Sequence, residues 1–138
     1  MLIAITREVS ASLAQCELTW LDRQATVLGV DHHWRPTPKL TVATNLVGSD
    51  ILQSGTHTRG SGATLLVDQE MSGGWRQQWL GMHFDDRLQV NDFGYLARNN
   101  FNYAHWEVRK RNTALPADSA YSSHDWRIRI DALDNDHG

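Results

Sequence analysis

Histidine is the residue type most suited to metal chemistry in this chain of 138 residues, which contains seven histidines. His32 and His33 follow Asp31, and imidazole and carboxylate groups are common zinc ligands. Adjacent side chains on a strand point to opposite faces, so this pair cannot bind one ion together. The other histidines are scattered, and no H-E-x-x-H or Cys/His cluster occurs. The sequence therefore predicts no metal site and no cofactor.

Hydroxyl and carboxylate groups give no catalytic pattern either. Ser61 lies in a Gly-Ser-Gly triplet, which lacks the glycine spacing of a nucleophile elbow. Asp85 and Asp86 are adjacent, and a turn explains them better than an acid/base pair does. The glycine-rich stretch 55–62 is not followed by the Gly-Lys-Ser/Thr of a phosphate loop. We therefore predict no independent catalytic activity.

Tryptophan is abundant, with six residues, and it offers the best candidate for ligand binding. The candidate residues are Trp75, Trp79 and Trp106. Trp75 and Trp79 are four positions apart within one predicted strand, so their side chains point to the same face. At ~3.3 Å per residue they lie about 13 Å apart. Facing outward, such rings stack on sugars or lie at a membrane interface. Packing in a core is the alternative that stays open.

A hydrophobic period of two predicts the strands that position these side chains. It is clearest near the C-terminus, where Trp126, Ile128, Ile130 and Ala132 alternate with Arg127, Arg129 and Asp131. This pattern indicates a sheet with one apolar face and one polar face, the latter solvated or lining an aqueous lumen.

Turn signals divide the rest of the chain from residue 26 onward. The other predicted strands are Val27–Trp34, Lys39–Val47, Ala63–Gln69, Trp75–Phe84, a short Leu88–Val90, and Phe101–Arg111 with a bulge near Ala104 or His105. Pro36-Thr37-Pro38 and Gly73-Gly74 are predicted turns, and Gly48–Gly62 is predicted as a loop or, at best, a weak strand. With no long helix, we predict an all-β fold: an antiparallel meander or barrel-like sheet of six to seven strands.

The first residues differ from the rest. Leu2–Ile5 is predicted as a strand, followed by a loop or a short helix that starts at Ser10 or Ser12. Met1–Ile5 is too short for a signal peptide. We divide the chain into an N-terminal segment, 1–24, and an antiparallel β-sheet domain or barrel fragment, 25–138.

Charge and cysteine content narrow the function classes. The formal net charge is −3 with mixed signs, so nucleic acid is not an expected partner. The single cysteine, Cys16, excludes an internal disulfide. No segment reaches the ~20 apolar residues of a membrane helix.

Ala4-Ile5-Thr6-Arg7, Val9-Ser10 and Cys16-Glu17-Leu18-Thr19 resemble the N-terminus of bacterial dimethylarginine dimethylaminohydrolase-like proteins. The resemblance covers residues 2 to 24. It implies an α/β propeller with a cysteine nucleophile near the C-terminus, and that motif does not occur downstream. Cys16 lies in the opening motif, so no catalytic role is carried over to it.

Residues 25 to 138 resemble a different group. Gly29-Val30-Asp31, Trp34-Arg35-Pro36, Gly48-Ser49-Asp50 and above all Val90-Asn91-Asp92-Phe93-Gly94-Tyr95-Leu96 are similar to an uncharacterised bacterial family. Its members join a carbohydrate-binding-like domain to a C-terminal outer-membrane β-barrel. This resemblance implies an outer-membrane location, although no signal peptide is present.

Together these patterns predict a non-catalytic, barrel-like protein or fragment related to outer-membrane barrels. Expected partners are a membrane, a further chain that completes the sheet, or carbohydrate. Two alternatives stay open: a fragment of a dimethylarginine hydrolase-like enzyme, and a soluble carbohydrate-binding module with exposed tryptophans.

Overall fold

The fold is a single antiparallel sheet of seven strands. The computed structural model describes residues 8–20, 22–92, 96 and 98–135. The strands are β1 Glu8–Trp20, β2 Arg23–Thr37, β3 Leu40–Gln53, β4 Thr56–Glu70, β5 Trp75–Phe84, β6 Phe101–Asn112 and β7 His124–Asp134. Each strand pairs with the next along the chain, so the sheet is a meander with β1 and β7 at its edges. The all-β antiparallel prediction is confirmed, with seven strands, and no ladder joins the two edges within the described residues.

The hairpin between β3 and β4 corrects the prediction of a loop at Gly48–Gly62. β3 continues to Gln53 and β4 starts at Thr56, so only a two-residue turn remains. Ser54 and Gly55 both have positive φ angles, 50° and 76°, as a type I′ hairpin turn requires. The prediction was wrong because it interpreted every glycine as a loop signal.

The N-terminal segment is extended rather than helical. β1 pairs with β2 without interruption from Glu8 opposite Arg35 to Trp20 opposite Arg23. The expected short helix is therefore wrong, since continuous cross-strand pairing outweighs a weak helical spacing. The predicted strand Leu2–Ile5 lies outside the described residues.

The C-terminal half agrees more closely with the sequence analysis. β5 has the predicted bounds, and the chain turns at Ser72–Gly74, where Gly73-Gly74 was predicted as a turn. The turn predicted at Pro36-Thr37-Pro38, in the N-terminal half, instead lies at 38–39, because β2 continues to Thr37. The predicted bulge near Ala104 or His105 is wrong, because the pairing of β5 with β6 runs without a shift from Trp75–Lys110 to Phe84–Phe101. The apolar residues change from odd to even positions along β6 because Phe101 points to the face opposite that of Trp106, where its ring stacks on Phe84 with the centroids 6.4 Å apart. Leu88–Val90 is not a strand but part of the loop between β5 and β6.

The buried core is small and lies mostly at that loop, whereas Val108, 9% exposed, lies on β6 away from it. Ala25 is 1% exposed, Ile51 2% and Leu88 2%. Ala25 and Ile51 are direct cross-strand partners on β2 and β3, and Leu88 belongs to the loop. The sheet is thus covered at one end of one face.

Candidate functional site

The two faces of the sheet differ in chemistry: most of the large exposed apolar side chains lie on one face and most of the charged side chains on the other. Residues directly opposite each other on neighbouring strands share a face, so the register assigns each side chain. The first face, here called the apolar face, carries eight large exposed apolar side chains: Leu13, Leu28, Leu46, Leu65, Trp79, Trp126, Ile128 and Ile130. A continuous exposed apolar surface of this kind is typical of a protein or membrane contact.

The apolar side chains form an oblique band across the strands. The band runs from Leu13 on β1 and Leu28 on β2 to Trp126 and Ile128 on β7, and Leu28 lies several register rows away from Trp126. In membrane β-barrels the strands are tilted relative to the membrane normal, so an apolar belt parallel to the membrane crosses the strands obliquely in this way.

Charged side chains on the apolar face lie only near the borders of this band. Among the described strand residues they are Glu17, Asp50, Arg59, Asp134 and Lys110. The first four lie towards one border and Lys110 lies at the other. Both borders are marked on β6 and β7, where Asp134 is opposite Asn102 and Lys110 lies eight residues further along β6. At ~3.3 Å per residue this is about 26 Å along the strands, and a tilt of about 40° reduces it to about 20 Å, close to the ~25 Å apolar band of outer-membrane barrels.

The three candidate tryptophans all lie on the apolar face. Trp79 is directly opposite Trp106, and Trp75 is opposite Lys110, so Trp75 and Trp79 share a face as predicted. Trp126 packs edge-on against Trp75 with ring centroids 4.9 Å apart, and Lys110 Nζ lies 4.9 Å from the Trp75 centroid. Trp75 is therefore partly covered, whereas Trp79 is 40% exposed.

A depression lies next to Trp79 and Trp106 in the register, and sequence reasoning missed it. Its volume is about 520 Å³, and its lining includes Gly81, Ala104 and Ala132. These three are consecutive cross-strand partners, so only the register reveals that their small side chains form one floor. His83 Nδ1 and Asn102 Oδ1, 2.6 Å apart, form a polar rim.

The opposite face, here called the polar face, carries most of the charge. Its charged residues on the strands include Arg23, Asp31, Arg35, Asp68, Glu70, Arg76, Glu107, Arg109, Arg111, Asp125, Arg127, Arg129 and Asp131. Many of them pair: Arg76 Nε donates to Asp68 Oδ1 at 2.8 Å, Arg109 Nε to Asp125 Oδ1 at 2.8 Å, and Arg129 Nε to Asp131 Oδ1 at 2.9 Å. Such exposed pairs need water around them, so this face is suited to an aqueous interior rather than to hydrocarbon.

One end of the polar face is covered by residues Asp85–Asp92, here called the strap. The Ser61 N–H and the Ser61 hydroxyl both donate to Asp85 Oδ2, at 2.7 and 3.2 Å. The Gln89 N–H donates to Ser49 Oγ at 3.0 Å. Asp92 Oδ2 accepts from Arg23 at 2.8 Å. The strap therefore crosses from β4 over β3 to β2.

Asp85 anchors the start of the strap. Burial raises its pKa, but hydrogen bonds from the N–H groups of Ser61 and Arg87 and from the Ser61 hydroxyl outweigh burial and hold the pKa below its usual value. Since the folded pKa is lowered, this carboxylate stabilises the fold above the pKa of the unfolded chain. The stabilisation is lost as the pH falls through the folded pKa.

We expect Asp85→Asn to lower the free energy of unfolding by roughly 1 kcal/mol at pH 7, because its hydrogen bonds lose their charge. The difference from the unmodified protein should disappear at an acid pH below the folded pKa of Asp85, where both side chains are neutral. Urea unfolding at the two pH values measures this. An equal difference at both would mean that the charge of Asp85 contributes nothing.

The residues first considered for chemistry do not form a reactive centre. His32 points to the apolar face and His33 to the polar face. Ser61 bonds to the anchoring Asp85. No group of three histidine, cysteine or acidic side chains is placed to hold a metal ion within the part of the chain that the structure describes.

None of the helical segments described is long and apolar enough to cross a membrane. No protein-family model, no curated protein and no solved structure matches the chain.

Proposed function

We propose that this sheet forms part of the wall of a non-catalytic membrane β-barrel related to outer-membrane barrels. Its apolar face lies against the lipid hydrocarbon and its polar face lines an aqueous interior. The observation that carries the proposal is the separation of side chains between the two faces. The apolar face keeps its charged residues to the borders, whereas the polar face holds paired charges along the sheet.

Two further features favour lipid over a protein partner. The strands contain 10 to 15 residues, and about 9–11 tilted residues are enough to cross a bilayer. At one border the ring of Trp75 contacts both Trp126 and Lys110. Amphipathic aromatic rings next to a lysine are typical of the level of the lipid headgroups.

The proposal requires additional strands. β1 and β7 are edges, and unpaired backbone groups at an edge cost several kcal/mol each in hydrocarbon. With seven strands the two edges run in the same direction, so antiparallel closure needs an odd number of further strands between them. We expect a further chain to supply these strands, and a second copy of this chain, with its seven strands, meets the condition.

Flotation with phosphatidylcholine vesicles tests the proposal. Protein diluted from urea into vesicles should float with the lipid and give a β-type circular dichroism spectrum. A discrete soluble species that stays in the aqueous fraction would contradict it.

That outcome would favour a second function, a soluble carbohydrate-binding module. The depression supports this alternative, because its apolar floor accommodates a sugar ring whose hydroxyls reach His83 and Asn102 at the rim, and Trp79 and Trp106 lie close enough to report the binding. A change in tryptophan fluorescence on addition of sugar would then be expected.

A further inference from the structure

We propose that the strap is a movable closure over one end of the polar face, and that the ion pair between Arg23 and Asp92 is its latch. The consequence, that moving the strap opens an aqueous interior, rests on the proposed function. The closure itself rests on the contacts of the strap alone.

The path of the strap across the sheet is the first argument. It starts at the end of β5, is anchored at Ser61 on β4, contacts Ser49 on β3 and ends at Arg23 on β2. Four neighbouring strands at ~4.8 Å spacing span about 14 Å. A segment that crosses the polar face over this distance obstructs the interior that this face lines in the proposed barrel.

The two ends of the strap are held differently. The Asp85 end is fixed through both its backbone and its side chain: the Asp85 N–H donates to the Ser61 carbonyl at 3.0 Å, and the Asp85 carboxylate accepts from the Ser61 N–H at 2.7 Å. The Asp92 end is held through side chains: Arg23 Nε and Nη2 donate to the two carboxylate oxygens at 3.3 and 2.8 Å. The Arg23 and Asp92 side chains are 32% and 22% exposed, so water has access to the latch.

The middle of the strap is held against the sheet by the side chain of Leu88. Leu88 is buried, and a Cβ placed on Gly62 would lie 3.0 Å from Leu88 Cδ2. Asn99, after the strap, donates to the carbonyls of Asp86 and Leu88 at 2.8 and 3.3 Å. Opening at the latch therefore lifts Gln89–Asp92 first and exposes the Arg87–Leu88 bond only when Leu88 leaves its site.

Trypsin measures this opening, because it cleaves after Arg87 only when Leu88 is released. We expect Arg23→Gln and Asp92→Asn each to increase the rate of cleavage at Arg87 about five-fold, as the loss of a partly exposed ion pair predicts. The charge exchange Arg23→Asp with Asp92→Arg should restore much of the protection. Arg59→Gln is the matched control: it removes an arginine from the ion pair with Asp50 near the same end of the sheet and should leave cleavage unchanged.

Conductance across planar lipid bilayers tests the consequence with the same variants. Higher conductance in Arg23→Gln, together with faster cleavage, supports the closure. Cleavage that is the same in the latch variants and in Arg59→Gln overturns it, whatever the conductance. Faster cleavage in a protein that never enters the bilayer keeps the movable strap and contradicts the barrel instead.

Discussion

Leu65→Arg is expected to lower the partition coefficient of the protein into lipid vesicles, measured by flotation at graded lipid concentrations, at least 30-fold. Leu65 is 47% exposed in the middle of the apolar face. An arginine on the lipid side of a strand near the bilayer midplane costs about 2–4 kcal/mol, and 2 kcal/mol already corresponds to about a 30-fold change in partitioning.

The matched control is Thr64→Arg, which places the same charge one residue away on the polar face. In the proposed barrel this arginine faces water, so flotation should change little. The two variants distinguish a face in contact with lipid from a face in contact with water. In a soluble protein Leu65→Arg places a charge at an already exposed position and costs almost nothing. Equal flotation of the two variants would contradict the assignment of the faces.

Gly60→Ala is expected to displace the strap and to lower the free energy of unfolding by about 3 kcal/mol. A Cβ on Gly60 would lie 2.2 Å from the Leu88 nitrogen and 2.3 Å from the Arg87 carbonyl carbon. Both are backbone atoms, so no side-chain rotation relieves the contact. The strap must move away, and Leu88 loses its buried site.

Gly81→Ala is the control, since it makes the same chemical change in a strand and nothing lies within 4 Å of the added Cβ. It should be neutral or stabilising by up to about 1 kcal/mol. Urea denaturation and trypsin cleavage at Arg87 measure both effects. Similar stabilities for the two variants would show that the strap does not rest on Gly60.

The sequence predicted the alternation of the two faces but not what covers them. Period two along Trp126–Ala132 was sufficient to assign β7, because each residue there follows its local pattern. Gly60 was predicted to lie in a loop, but it is a strand residue whose missing side chain makes room for Leu88, 28 positions away. A glycine that accommodates another segment is indistinguishable in one sequence from a glycine in a loop.

The candidate site shows the same division. That Trp75 and Trp79 share a face follows from spacing alone, whereas the pairing of Trp79 with Trp106 requires the register between β5 and β6. The depression floored by Gly81 and Ala104 depends on that register too. The resemblance of residues 2 to 24 to amidine hydrolases stays a prediction, and Cys16 is exposed on β1.

The central claim is that the apolar face lies against hydrocarbon, and quenching by phospholipids brominated in mid-chain tests it most directly. Trp79 is kept as the single tryptophan, with phenylalanine at the other five positions. A second protein has phenylalanine at all six and a single tryptophan from Tyr103→Trp, on the polar face.

We expect bromine to quench Trp79 strongly and the tryptophan at position 103 weakly, because only the first lies among the acyl chains. Quenching that is weak at both positions would place the apolar face outside the bilayer and contradict the account.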